Sequence, residues 1–466
     1  MFSFNKKVAI TLMLGLLAVS AFFIRWDNFK KSPNRSIDEI VFFRMAGQVS
    51  HNWQDYNTIP YGKELQASGR ELPEYFFRPL YKHPPLFTFL LAGMMKLFGN
   101  SLNIAAIVPL LLGALLIPLV YLLANAIFND RRTACLAALF MWFDPVSTIC
   151  SQKIWMDVPL CFFSLLAIYF FVKALQSSSV EKWLLLSGLT IGLAMNIKYT
   201  AVLILAAQWL YILIYRPDLR CSIKFWLLNL LPFILLIPWM IWNLKIYGRI
   251  STPFSEDDFM HLFKTYAFKL SSLIVIISLI MVGIHKLKSK FPFVPSPAFT
   301  SKLNWIVYTI LAALLSSAFV NTFNLYHIPK NTWAGGLLAM EPSTFYFSQL
   351  IEFSPLYILS FILLFKFEAT PKTPLISILK LTLALSFIFF IVWGNFQSRY
   401  ILSAVPGLII LSSEQFIRWC DAVKSQNNLL LRSFMRASLL LLICFIILKT
   451  SWINIHLSFP NNMCYF

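Results

Sequence analysis

An acidic pair, Asp38-Glu39, follows Ser36 in a chain with only 20 acidic residues. Ser36 and Glu39 have the spacing of a capping box, which satisfies free N–H groups at a helix start. Helically spaced apolar residues follow, namely Ile37, Ile40, Val41, Met45 and Val49. The pattern predicts an amphipathic helix on a membrane surface. The helix dipole favours ionised carboxylates at Asp38 and Glu39, although both acids could serve only as caps.

Two basic residues, Lys82 and His83, stand directly before the proline pair Pro84-Pro85, and Arg78 lies close by in the sequence. The prolines stiffen the chain and keep the preceding residues extended. We expect Lys82 and His83 to reach the membrane interface, where a cation can bind a lipid phosphate. Snorkelling of these side chains to ordinary headgroups is the alternative.

Three further charged residues, Asp157, Lys198 and Arg399, stand at the ends of apolar runs. Asp157 could simply cap the run that follows it. A lone lysine between two apolar runs, such as Lys198, is costly unless it is paired or hydrated. Arg399, which precedes Tyr400, is suited to bidentate binding of a phosphate or a carboxylate. Snorkelling at the membrane edge is again the alternative for both cations.

Membrane-spanning helices must position these residues. The sequence is 58% hydrophobic and 13% charged, whereas a soluble domain is nearer half apolar and a quarter charged. The composition and the long apolar blocks predict an all-α polytopic membrane protein with about 13 transmembrane helices. The expected spans are residues 8–24, 103–127, 133–150, 158–175, 184–197, 200–215, 223–246, 268–285, 304–320, 351–366, 376–393, 400–417 and 432–450.

The apolar run 84–98 is short, begins with two prolines and contains Lys96. We therefore predict an interfacial or half-inserted helix there, which adds to the amphipathic helix of the same loop. With a cytoplasmic N-terminus, the short inner loops then hold most Lys and Arg, as the positive-inside rule requires. Counting 84–98 as a span would reverse every later loop. The resulting topology places six residues at the outer edge, namely Asp38, Lys82, His83, Asp157, Lys198 and Arg399.

The loops predict one integral-membrane domain over residues 1–466, with no separate soluble domain. Residues 25–102 form the longest extracytoplasmic loop, and 247–267 and 321–350 form two more. Long loops usually carry function, so we expect acceptor recognition to fall to these three.

The charge and the cysteines exclude several classes of protein. The net charge is +19, but the Lys and Arg residues lie in connectors, which favours contacts with membrane lipids over nucleic acid. The seven cysteines contain no CxxC pair and no Cys/His cluster, so nothing predicts structural zinc or a disulfide framework. The sequence has no Walker loop, no HExxH and no GxGxxG after a strand. No cofactor is predicted; a divalent metal stays open, although no ligand cluster identifies one.

Two carboxylates and several cations at one membrane boundary fit a reaction between a lipid-borne phosphate and an acceptor outside. A transporter or flippase of lipid-linked glycans is the main alternative. It predicts charges near the bilayer midplane and internal symmetry, whereas these charges lie at the edge and no repeat is visible. A non-catalytic assembly or receptor subunit would need none of the outer acids.

The order of the motifs resembles the C-type glycosyltransferase superfamily. The order is Asp38-Glu39 in a long first loop, His83-Pro-Pro-Leu, Asp157, Met195-Asn-Ile-Lys-Tyr, and Arg399-Tyr with a later proline. Within the superfamily, the motifs are most similar to the protein O-mannosyltransferases and the lipid A aminoarabinose transferases. The resemblance covers residues 8–220 and returns at 395–411.

This resemblance implies an inverting transfer of a hexosyl or pentosyl group from a polyprenyl-phosphate donor. The acceptor would be a lipid, a glycan or a protein at the extracytoplasmic face, most simply of a bacterial inner membrane. Asp38 maps to the general base, and His83 stands where the aminoarabinose transferases often have lysine. The implied substrate-binding residues are Glu39, Arg78, Lys82, His83, Asp157, Lys198, Arg399 and Tyr400.

Overall fold

A computed structural model describes residues 6–32, 35–69, 71–72, 74–250, 350, 353–365, 374–393 and 398–458. The predicted spans 268–285 and 304–320 lie outside the described residues. Almost all of the predicted outer loops 247–267 and 321–350 lies outside them as well. The expected role of those two loops in acceptor recognition therefore stays a prediction.

Every regular element of the described residues is a helix, which confirms the all-α class. The first eight helices are α1 (Lys6–Lys31), α2 (Ile37–His51), α3 (Ile59–Ala67), α4 (Leu86–Phe98), α5 (Leu102–Phe128), α6 (Arg131–Phe143), α7 (Pro145–Ser151) and α8 (Asp157–Gln176). The others are α9 (Val180–Met195), α10 (Val202–Tyr215), α11 (Pro217–Arg220), α12 (Ile223–Tyr247), α13 (Pro355–Phe365), α14 (Ile376–Trp393), α15 (Val405–Ser425) and α16 (Leu429–Ser458). Short 3-10 turns cover Glu74–Phe77, Tyr199–Ala201 and Ser398–Ser403.

Five helices of the described residues are long and apolar enough to cross a membrane, and they belong to α1, α5, α8, α12 and α16. The count becomes six if α6 and α7, which meet at a bend of 52°, form one span. The predicted count of about 13 is not confirmed, and two of the predicted spans lie outside the described residues. Helix α9, at one of the predicted spans, has 16 residues and a length of roughly 24 Å, less than the hydrocarbon core of a bilayer.

Helix α2 begins with the capping box that the sequence predicts. The Ser36 side chain accepts from the Glu39 backbone N–H, and the Glu39 carboxylate accepts from the Ser36 backbone N–H. Val41, Met45 and Val49 are buried on the face that packs against α4. Ile37, which the pattern also places on the apolar side, is instead half exposed in the first turn.

Helix α4 has 13 residues, a length of about 20 Å, and does not qualify as a span. Its Phe87 ring packs edge-to-face on Phe42 of α2, with ring centroids 5.0 Å apart. The two helices thus form a layer at one end of the bundle. The chain leaves this layer through α5, which begins at Leu102.

The bend between α6 and α7 is stabilised by buried polar side chains. Asp144 caps α7 by accepting from the Ser147 N–H at 2.7 Å, and it also accepts from the Tyr357 hydroxyl of α13. The buried Arg25 of α1 donates to Ser151 at 3.2 Å. Gly113 of α5 leaves room for this contact, because a Cβ there would stand 2.1 Å from the Ser151 hydroxyl. These bonds fix the short connector 152–156 that leads into α8.

Several helix ends meet at the same end of the bundle, which we call the site end. Helices α1, α7 and α9 finish there, while α2, α8 and α15 begin there or directly after a short turn. The connectors and the first helical turns at this end carry the predicted site residues. The fold therefore gathers side chains from distant parts of the chain into one region.

Candidate active site

Four charged side chains form a connected cluster at the site end. The charge cluster consists of Asp38, Asp157, Lys198 and Arg399. Asp38 and Arg399 are 361 residues apart in sequence. Four of the six residues that the predicted topology groups together are thus joined by direct ion pairs.

Arg399 lies at the centre of the charge cluster. Its Nη2 donates to Asp38 Oδ2 at 2.6 Å, and its Nε lies 3.6 Å from Asp157 Oδ2. The Arg399 side chain is 11% exposed, and Nε makes no hydrogen bond to any described residue. Burial acts to lower the pKa of Arg399, but the carboxylates of Asp157 and Asp38 raise it above its ordinary value. The guanidinium therefore stays charged and keeps one N–H available for a further acceptor.

Asp157 is the first residue of α8 and is only 7% exposed. Its Oδ1 lies 3.5 Å from Lys198 Nζ, so the carboxylate is shared between a lysine and an arginine. Lys198 also lies over the Tyr400 ring, 4.1 Å from the centroid. Buried charges persist only when they are paired. The Lys198 ammonium is thus stabilised by a carboxylate on one side and a ring face on the other.

Asp38 differs from the rest of the charge cluster in its accessibility. Its side chain is 41% exposed, because it stands in the first turn of α2 at the edge of the layer. One carboxylate oxygen binds Arg399 while the group as a whole remains open to solvent. A molecule approaching from outside would therefore meet Asp38 before the other three members.

His83 and Lys82 lie against the charge cluster. Burial of the His83 ring, together with the positive charges of Lys82, Lys198 and Arg399, holds its pKa well below the ordinary value of 6.5. Tyr56, fully buried, fixes the backbone here by donating its hydroxyl to the His83 carbonyl at 3.0 Å. His83 is consequently neutral at pH 7, so it can offer a hydrogen bond to a phosphate but no positive charge.

Arg78 makes its ion pair elsewhere. Its Nη2 lies 3.4 Å from Glu74 Oε1, one helical turn earlier. The neighbouring Leu80 exchanges two backbone hydrogen bonds with the Tyr247 hydroxyl of α12. This segment thus connects the first loop to the end of α12.

Glu39 is fully buried beneath α2. Besides its role in the capping box, its Oε1 accepts from the Ile154 backbone N–H at 3.3 Å. The Arg35 guanidinium and the Lys153 ammonium lie 3.8 and 3.9 Å from its carboxylate oxygens. Glu39 therefore joins the start of α2 to the connector before α8, a geometry that favours positioning over contact with a substrate.

Trp155 is not among the residues that the sequence motifs predict to be functional. Its ring is buried, and it contacts both Ser36 and Arg399. The only sequence signal was an aromatic residue inside a short connector between two charged residues, Lys153 and Asp157. Such a residue is equally common at membrane interfaces.

A metal-binding group is not found in the described part of the chain. No set of three or more His, Cys, Asp or Glu side chains there is arranged to hold an ion. Both carboxylates of the charge cluster are already paired with Arg399.

A family model described as dolichyl-phosphate-mannose-protein mannosyltransferase matches residues 82–242. The match includes Lys82, His83, Asp157 and Lys198, and it ends before Arg399. None of the curated proteins matches the chain.

Solved structures share the fold over almost the whole chain. The archaeal oligosaccharyltransferase AglB from Archaeoglobus fulgidus, in complex with an inhibitory peptide and a dolichol-phosphate, matches with a TM-score of 0.54 and 15% identity. The match covers 95% of this chain and 56% of AglB, so the chain spans little more than half of that protein. ArnT from Cupriavidus metallidurans in the apo state matches with a TM-score of 0.52 and 13% identity, over 98% of this chain and 77% of ArnT.

The fold is shared with AglB and ArnT, and the family model matches residues 82–242. Together these findings support the resemblance to the C-type glycosyltransferase superfamily seen in the motifs. At 13–15% identity the structural likeness concerns the fold.

Proposed function

We propose that this protein transfers a sugar from a polyprenyl-phosphate donor to an acceptor at the extracytoplasmic membrane face, with inversion and with Asp38 as general base. The observation that carries the proposal is the direct pairing of Asp38 with Arg399, 2.6 Å apart. A base and a phosphate-binding cation must both be within reach of the transferred sugar. This pairing brings one candidate for each role into one small site.

The reaction requires little from the protein beyond these groups. A sugar joined to a phosphate already carries a good leaving group, so the site must remove a proton from the acceptor and stabilise the departing phosphate. Lys198 and Arg399 supply fixed positive charge in a largely buried region, where electrostatic interactions are stronger than in water. Lys82 lies near His83 and can add a third positive charge.

The accessibility of the site supports a division of roles. Asp38 is the exposed member of the charge cluster, whereas Asp157, Lys198 and Arg399 are largely buried. We infer that the acceptor arrives beside Asp38 from the aqueous side. The donor phosphate then binds deeper, beside Lys198 and Arg399, and Asp157 shapes the space between them.

The relatives support a lipid-linked donor and an acceptor in general terms. The AglB structure is a complex with an inhibitory peptide and a dolichol-phosphate. The oligosaccharyltransferase of the same organism was also solved with a tethered acceptor peptide; it matches with a TM-score of 0.55, 15% identity and coverage of 95% of this chain and 55% of that chain. For the present chain, a protein, a glycan or a lipid acceptor all fit the exposed position of Asp38.

The proposed orientation follows from charge. The end of the bundle opposite the site end carries Arg131, Arg132, Arg220 and Lys224, which are typical of a cytoplasmic face. We therefore propose an integral membrane protein with a cytoplasmic N-terminus and an extracytoplasmic site. A bacterial inner membrane fits this arrangement.

The test is release of free polyprenyl phosphate by purified protein in lipid nanodiscs, supplied with a panel of labelled polyprenyl-phosphate sugars. We expect Asp38→Asn to lower release by at least about 100-fold, because a general base contributes roughly 10²–10⁴ to a rate. The matched control is Asp218→Asn, which removes an arginine-paired carboxylate, 2.7 Å from Arg216, at the opposite end of the bundle. That variant should keep wild-type activity.

The outcomes separate the parts of the proposal. Release by wild type and by Asp218→Asn but not by Asp38→Asn would support the reaction and the base. Full activity of a folded Asp38→Asn variant would reject Asp38 as the base. Donor binding without release by wild type under every acceptor condition would favour a transporter of lipid-linked glycans instead.

A further inference from the structure

Trp155 lies in the five-residue connector between α7 and α8, and it is almost completely buried. Its indole N–H donates to the Ser36 hydroxyl at 3.0 Å. Ser36 is the N-cap of α2, and Asp38 stands two residues later in the first turn of that helix. The indole is therefore joined through one side chain to the turn that carries the proposed base.

The face of the same indole contacts the proposed phosphate-binding cation. The Arg399 guanidinium carbon lies 4.7 Å from the Trp155 ring centroid, within the range of a cation–π interaction. The guanidinium also binds Asp38 on one side and approaches Asp157 on another. Since the ring supports a guanidinium that has further partners in the site, it restrains the direction in which Arg399 presents its N–H groups.

The connector itself is held in place, so the ring has a fixed base. The Ile154 backbone N–H donates to Glu39, and the Glu39 carboxylate belongs to the capping box with Ser36. Trp155 is thus flanked by an immobilised neighbour and contacts the same cap. Two hydrogen bonds from one short connector to the start of α2 fix the start of α8 relative to the start of α2.

We infer that Trp155 is a positioning residue of the proposed transferase, which holds Asp38 through Ser36 and Arg399 through its ring face. The inference rests on the proposed function. The indole N–H positions the proposed base, Asp38, and the ring face positions Arg399, the cation proposed to bind the phosphate. Trp155 touches neither substrate in this view.

Two substitutions separate the halves of the side chain. Trp155→Phe keeps an aromatic face for Arg399 but removes the N–H donor to Ser36, whereas Trp155→Leu removes both. We expect Trp155→Phe to lower the turnover rate about fivefold, the effect of one hydrogen bond, with little change in donor KM. Trp155→Leu should add a rise in the Kd for farnesyl phosphate, used as a soluble probe of the phosphate site, of roughly 3- to 30-fold.

A double-mutant cycle tests the route through the helix cap. Ser36→Ala removes the acceptor of the indole N–H, so Trp155→Phe should add little to it if both act through the same bond. The matched control is Trp142→Phe, because the Trp142 indole N–H also donates to a serine hydroxyl, that of Ser20, at 3.0 Å. Trp142→Phe loses the same kind of bond without touching the charge cluster, and its turnover should equal that of wild type.

Several results would overturn the inference. Wild-type turnover in Trp155→Phe would remove the link to Asp38, and unchanged farnesyl phosphate affinity in a folded Trp155→Leu variant would remove the link to Arg399. Fully additive effects of Trp155→Phe and Ser36→Ala would show that they act separately. If Asp38→Asn is inactive while both Trp155 variants behave as wild type, only this inference fails; if Asp38→Asn is active, the proposed base fails instead.

Discussion

Two arginine–aspartate pairs lie at opposite ends of α15. They have the same chemical groups but differ in geometry and in exposure to solvent. Arg399, before the start of the helix, pairs with Asp38 and approaches Asp157. Near the end of the helix, Asp421 receives both terminal nitrogens of Arg132, at 2.8 and 3.0 Å. The first arginine is 11% exposed and the second is 56% exposed.

The difference shows which ion pair is suited to a reaction. Arg132 forms a complete bidentate bond in solvent, and its Nε also lies 3.5 Å from Asp130, so its donors have partners. Arg399 is divided between two carboxylates and keeps Nε without a hydrogen bond among the described residues. A buried guanidinium with a free donor is costly for folding but ready to bind an anion. A fully paired arginine, such as Arg132, suits a surface ion pair. A buried arginine that keeps one N–H for a ligand, such as Arg399, suits a binding site.

The largest effect is expected from Arg399→Gln. Removing this charge leaves Asp157 with Lys198 alone and takes away the cation proposed to stabilise the departing phosphate. Release of free polyprenyl phosphate should fall by about 100- to 1000-fold. The melting temperature should also fall, because the buried carboxylate of Asp157 loses a partner. Release within twofold of wild type would show that Arg399 does not contribute to catalysis and does not differ from Arg132 in this respect. Arg399→Lys should recover only part of the activity, because a lysine cannot reach two carboxylates in the same way.

A smaller effect concerns His83 and the pH dependence of stability. In the folded protein the pKa of His83 lies well below 6.5, because the ring is buried beside three cations. Above about pH 6.5 the ring is neutral in both the folded and the unfolded states and contributes nothing to the pH dependence. As the pH falls below this value the unfolded state takes up the proton first, so the free energy of unfolding decreases by up to about 1.4 kcal/mol per pH unit.

The check is the melting temperature of wild type and His83→Gln between pH 7.5 and about 5. The variant has a neutral polar side chain at every pH, so its stability should fall less steeply on acidification. Equal slopes for the two proteins would contradict the neutral state of His83. A stronger slope in the variant would mean that the ring is protonated beside the cations after all.

The smallest effect is expected at the opposite end of α15. Arg132→Gln should leave the release of polyprenyl phosphate unchanged. It should lower the melting temperature only slightly, since an exposed ion pair contributes little to stability. The small difference should shrink further in high salt, which screens surface charges. A loss of release comparable with that of Arg399→Gln would remove the distinction between the two ends.

Local structure was accessible from the sequence because local spacing determines it. The capping box at Ser36 and Glu39 follows from two side chains three residues apart, and the structure contains it. The apolar blocks predicted the helical class, and their motifs predicted the superfamily. The count of about 13 spans was less accessible, because short helices such as α9 are as apolar as full spans and differ mainly in length.

The roles of individual site residues depended on burial, which the spacing of residues in the sequence does not predict. Asp38 and Glu39 are adjacent carboxylates, yet Asp38 is exposed to solvent while Glu39 is buried and contacts Ile154 and Lys153. His83 carries the same side chain in any fold, but its pKa is lowered by burial and by the positive charges of Lys82, Lys198 and Arg399, of which the last two are distant in sequence.

The sequence by itself determined which residues could be charged and which segments form helices, and it predicted which connectors share a side of the membrane. These properties depend on composition and on neighbours within a few positions along the chain. Tertiary structure alone decided that Asp38 meets Arg399 across 361 residues and that Trp155 lies between them. The physical reason is that packing of distant helices sets these distances, and contacts of that kind leave no periodic trace in a single sequence.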